Sequence, residues 1–183
     1  MHAIQSWVAL PKGDEETAPS FAHHEGDDLP VHHDAGVWLR LLAGEAFGLR
    51  SAVQTHSPLF YAHVALDRGS RIPLPREHPE RAIFVVSGEV ETGGNTIAPT
   101  QMAVFGGNAD DVIQANTPSV IMLLGGAPVG ERFIEWNFVS SSRDRIVQAK
   151  ADWRAGRMKL PDLDNKEFVP LPADPLATTA PLS

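Results

Sequence analysis

The chain has no cysteine. Disulfides, thiolate metal sites and cysteine nucleophiles are therefore excluded, and the absence suits a reducing cytoplasm. No run approaches the roughly 18 to 20 apolar residues that cross a bilayer as a helix. The opening MHAIQSWVALP has no basic region leading into an apolar core, so no signal peptide is expected and the expected location is cytoplasmic. Positive charge is scarce: 15 Lys and Arg against 23 Asp and Glu give a net charge of −8. A surface of that sign repels phosphates and argues against nucleic acid as a partner. There is no G-x-S-x-G nucleophile motif. Gly93-Gly94 and Gly106-Gly107 read as turns, because neither joins a strand to a helix as a phosphate loop does. There is also no His-x-His. The adjacent pairs His23-His24 and His32-His33 would point to opposite sides of a strand. With Glu25, Asp27, Asp28 and Asp34 they could chelate Zn²⁺ or Ni²⁺ only from a loop, and a solvated segment is the favoured reading.

What is present is a turn-rich β pattern. Glycine and proline number 15 each in 183 residues, and 43% of the chain is hydrophobic, enough for a core of ordinary domain size. The central stretch Arg81–Ile97 reads strand, turn, strand, turn, strand, broken at Ser87-Gly88 and Gly93-Gly94. Leu59–Leu66 alternates most cleanly, with Leu59, Tyr61, His63 and Ala65 on one face and Phe60, Ala62, Val64 and Leu66 on the other. Further strands are expected at Gln5–Leu10, Val37–Ala43 (stopped by Gly44), Gln101–Phe105, Asp111–Ala115, Ser119–Gly125 and Phe133–Val139. Helical spacing of Ile146, Ala149 and Trp153 predicts one helix over Arg143–Ala155, capped by a serine and ended by Gly156. Its charged residues read as a solvated face with intrahelical pairs. Phe168-Val169-Pro170 is expected to dock, and residues after Pro172 to be disordered.

Five blocks carry a family resemblance: WVALPK (Trp7–Lys12), Arg40–Ser51, FVVSGEV (Phe84–Val90), EFVPLP (Glu167–Pro172) and above all WNFVSSSRDRIVQAKADWRAGR (Trp136–Arg157). On these the sequence resembles the pirin family, whose members carry two cupin barrels in one chain. The resemblance implies an all-β, cupin-type (jelly-roll) β-barrel with one C-terminal α-helix. It places the remnant last strand of an N-terminal cupin and a linker at 1–20, the C-terminal cupin at 21–140, helix and docking tail at 141–172, and a disordered tail at 173–183. Trp136, Phe138 and Trp153 become packing anchors.

The family's N-terminal barrel holds one iron with three histidines and a glutamate, and no positions here match them. No cofactor is therefore expected in this chain. In the remaining barrel, Arg81 stands seven residues before Gly88, where a metal-binding cupin would have its glutamate, and a cation there repels a metal ion. Two readings compete for His78, Glu80 and Arg81. One is a small anionic-ligand site, with Arg81 as fork and His78 as acid or base. The other, favoured, is an exposed solvated loop. His63 is a further ligand candidate, against a half-buried structural histidine. No catalytic or metal residue is assigned.

The expected function is a metal-free binding or interaction module. A quercetin 2,3-dioxygenase-type oxidoreductase is the alternative if a second barrel supplies the metal, and a regulatory partner of a transcription factor or enzyme is another. A homodimer, with Gln5–Leu10 exchanged between copies, is expected to cover apolar surface.

Overall fold

The computed structural model describes residues 3–106, 111–160 and 166–172. They fall into two compact units, one built from residues 18–128 and the other from 3–17 together with 129–160 and 166–172. Residues 129–140 cluster with 3–17, 141–160 and 166–172.

The first unit is two antiparallel sheets. The larger contains β1 (Val31–Asp34), β2 (Val37–Ala46), β3 (Leu49–Arg50), β4 (Leu59–Leu66), β6 (Glu80–Ser87), β9 (Met102–Phe105) and β11 (Ser119–Gly126). Their order is β1-β2-β4-β11-β6-β9, with β3 paired to the end of β2. The smaller contains β5 (Arg71–Pro73), β7 (Val90–Thr92), β8 (Asn95–Ile97) and β10 (Val112–Ala115), ordered β5-β10-β7-β8. One core joins the inner faces: Leu39, Leu41, Phe60, Val64, Ile83, Val85, Ile121 and Leu123 from the large sheet meet Ile72, Val90, Ile97 and Ile113 from the small one. Strict alternation in β4 decides its orientation, Phe60, Ala62, Val64 and Leu66 pointing in.

Two turns differ from the expected pattern. Ser87-Gly88 is not a hairpin, because β6 pairs with β11 and β9 whereas β7 pairs with β8 and β10. The chain there turns a corner from one sheet to the other. Gly88 has φ +80, and a Cβ on it would lie 2.4 Å from the Pro118 carbonyl oxygen. Gly44 does not stop β2. The strand runs on to Ala46 through a register shift between Leu41 and Ala43.

In the second unit, residues 5–10 form no strand. A strand requires a hydrogen-bonded neighbour, and among the described residues none lies beside this segment. The expected single strand Phe133–Val139 is a hairpin, β12 (Phe133–Glu135) and β13 (Phe138–Ser140), turning at Trp136-Asn137. Helix α1 (Arg143–Arg154) follows, and the Ser142 hydroxyl accepts a hydrogen bond from the Arg145 amide. Its cations are not all paired within the helix: Arg145 reaches Glu16 and Lys150 reaches Glu135 on β12. Trp136 meets Phe138 and Trp153 edge to face at 5.4 and 5.5 Å. The Trp153 indole donates to the Val169 carbonyl at 2.9 Å, so the 168–170 segment does dock. Residues 173–183 lie outside the described residues.

Candidate functional site

Strands β2, β4 and β6 bring one end of the large sheet together. β2 ends there, while β4 and β6 begin there, because both run antiparallel to the intervening β11. Phe60, second in β4, points into the barrel and is 1% exposed. Gly125 on β11 makes room for it: a Cβ at that position would lie 2.6 Å from the Phe60 ring. The His78 ring stacks on Phe60, centroids 4.8 Å apart, and Phe47 packs on Phe60 from another side at 6.4 Å.

His78 is not a solvated loop residue. It is 6% exposed, and its Nε2 lies 2.8 Å from the Glu45 carbonyl oxygen. A carbonyl only accepts, so Nε2 carries the proton. In the neutral ring Nδ1 is then an acceptor, and it makes no hydrogen bond among the described residues. Arg81 is not solvated either. It is 1% exposed and shares the inner face of β6 with Ile83 and Val85, its Nη2 3.7 Å from Asp111 Oδ2. Glu80, one residue earlier, is exposed, as alternation requires.

His63 lies on the opposite face of the sheet, with Tyr61 and Ala65. It stacks edge to face on Trp38 at 5.4 Å, and the Arg40 guanidinium lies over the same indole at 5.1 Å. Partial burial first, and the Arg40 charge second, hold His63 below its ordinary pKa. The four sequence candidates thus separate: His78 and Arg81 point into the barrel, Glu80 into solvent, and His63 away from the core.

A pocket of about 870 Å³ opens at this end, lined by Gly44–Ala46, Gly48–Arg50, Thr55–Leu59, Glu77 and His78. Of these, only His78 was singled out on sequence. The 55–58 segment carries no periodic pattern, and its neighbourhood to His78 arises only from the pairing of β2 with β4. Arg50 pairs with the Glu45 carboxylate at 2.5 Å at the rim.

Iron, implied by the family resemblance, does not fit these donors. Among the described residues no three His, Cys, Asp or Glu side chains approach closely enough to share an ion. The barrel interior carries the Arg81 cation, and the His78 Nε2 proton is already bonded to a carbonyl. The histidine-rich segment supplies a single exposed contact, His23 to Glu25 at 3.2 Å, and His32 and His33 lie on the exposed strand β1.

Comparison with known families decides the relationship: the profile of the pirin C-terminal cupin domain matches residues 61–159. The chain belongs to the pirin family. It is 57% identical to a pirin-like protein of Caulobacter vibrioides over 94% of this chain and 60% of that protein. Mouse pirin is 29% identical over 84% of this chain and 56% of its own length. Among solved structures, quercetin 2,3-dioxygenase from Acinetobacter baumannii superposes with a TM-score of 0.77 at 26% identity, covering 94% of this chain and 59% of that one. The chain therefore spans less than two thirds of the length of each of these three proteins. The jelly-roll barrel with a single C-terminal helix agrees with the fold read from sequence.

Proposed function

We propose that this pirin-family chain is a binding module whose barrel works without a resident metal. The observation that carries the reading is Arg81. A fully buried guanidinium occupies the inner face of β6, where a metal-binding cupin directs a ligand, and a guanidinium has no acceptor atom to offer a metal ion. The pocket beside His78 then serves for ligand recognition, with His78 in its lining backed by the buried Phe60 ring. Plasma mass spectrometry on untagged protein, never exposed to a metal column, tests this. Metal content near zero is expected. Stoichiometric iron or another transition metal would overturn it.

A second reading draws on the likeness to the Acinetobacter baumannii quercetin 2,3-dioxygenase. Under it the chain works in a quercetinase-type oxidoreductase whose metal ligands come from a second barrel. Oxygen consumption on quercetin with added iron separates the two. The binding-module reading expects no turnover from the chain by itself.

A further inference from the structure

We propose that the pocket beside His78 binds a small protonated amine with an apolar body. The N–H groups of that amine donate to His78 Nδ1 and to the Glu77 carboxylate. This inference rests on the binding-module reading and names its ligand class.

The lining residues select for that chemistry. His78 is 94% withdrawn from solvent, yet it lines the pocket, and among the described residues no donor reaches its Nδ1. The donor to Nδ1 therefore comes from what occupies the pocket, water or a ligand. Glu77, the next residue back, is exposed, lines the same pocket and makes no ion pair or hydrogen bond among the described residues. Its charge has no counterpart there. The sole arginine of the lining, Arg50, is engaged by Glu45, which cancels both charges at the rim. Arg81, the natural fork for a carboxylate, is buried against Asp111 and does not line the pocket. An anion entering would thus meet Glu77 with no available guanidinium to offset it. Leu49, Pro58 and Leu59 supply apolar wall for a hydrocarbon body. This ligand is opposite in charge to the small anion weighed on sequence, as the less favoured reading, for His78, Glu80 and Arg81. Hydrogen bonds that carry a full charge are about twice as strong as neutral ones, so the ammonium is favoured over an alcohol of the same shape.

The test uses three probes with one body: n-butylamine, 1-butanol and butanoate, titrated into the full chain by ligand-observed NMR at about 1–10 mM. Butylamine should bind best and butanoate worst. E77Q should weaken butylamine about tenfold and leave butanol unchanged, because only the charge is removed. H78F keeps a ring on Phe60 and removes Nδ1; it should weaken both amine and alcohol. Should H78F fail to fold, the His78 ¹⁵Nδ1 shift of the wild-type protein gives the same information and should move on adding butylamine. Preference for butanoate would overturn the amine assignment and leave the binding-module reading standing. Butylamine binding that ignores E77Q and leaves Nδ1 unmoved would also overturn it, as would absence of binding by every probe. Stoichiometric metal in the mass-spectrometric assay would instead overturn the binding-module reading itself.

Discussion

Glu15 shows how much can depend on one carboxylate. It accepts hydrogen bonds from the Ser140 hydroxyl at 2.8 Å and the Ser141 amide at 2.9 Å, and its Oε1 lies 3.0 Å from Arg132 Nε. Arg132 in turn donates to the Leu10 carbonyl at 2.8 Å. Both side chains are largely buried, at 13% and 7% exposure, so removing one strands the other. Glu15→Ala is expected to cost roughly 3–5 kcal/mol in the unit formed by the chain ends. Urea titration followed by tryptophan fluorescence reads this, since Trp136 and Trp153 belong to that unit. His63 gives a second expectation. Its folded pKa lies below the ordinary value of 6.5, so below that pH the unfolded chain binds more protons than the folded one. Stability should hold above about pH 6.5, fall as pH drops through it, and level off below the folded pKa. His63→Gln should flatten that part of a stability profile measured from pH 8 to pH 5. Neither residue's role is written in the local sequence. Glu15 sits in a polar run, and its partners lie more than a hundred positions away.

At the scale of elements, Gly44 marks a place where the backbone leaves no room for a side chain. Gly44 has φ +75, and its Cβ would lie 1.8 Å from the Leu59 carbonyl oxygen. Gly44→Ala should therefore destabilise the barrel by well over the ~1 kcal/mol typical of a strained glycine replacement. Gly13→Ala is the control, with nothing within 4 Å and no positive φ, and should leave the thermal midpoint unchanged. The helix offers a milder case. Ser142→Ala removes the N-cap and should cost about 1 kcal/mol, read as faster amide exchange in the first turn of α1. Element type was readable where the periodicity was strong, as in β4 and α1, whose burial follows the pattern of apolar residues. It was not readable at Trp136-Asn137, where no glycine or proline marks the hairpin and Trp136 takes φ +56. Nor could Ser87-Gly88 be told from a hairpin turn. A tight turn and a corner between sheets use the same residues, and only long-range pairing separates them.

For the whole molecule, the candidate site was half legible. The polar cluster at His78 and Arg81 was visible, but burial of both depends on β6 lying between β11 and β9, which local pattern does not encode. The dimer expected from sequence remains a proposal. It is supported by Ile4, Trp7 and Val8, which are 51%, 58% and 61% exposed on a segment without a strand partner. Sedimentation equilibrium at micromolar concentration should report a dimer, and a monomer throughout would remove it. The position of β11 has one more consequence. It lies between β4 and β6 yet follows both in the chain. On the ribosome, β4 and β6 emerge long before the strand that joins them. Nascent chains ending short of residue 119 carry both facing edges bare, with Phe60, Val64, Ile83 and Val85 uncovered. The barrel closes late in synthesis, and those intermediates are the ones a holdase chaperone would meet.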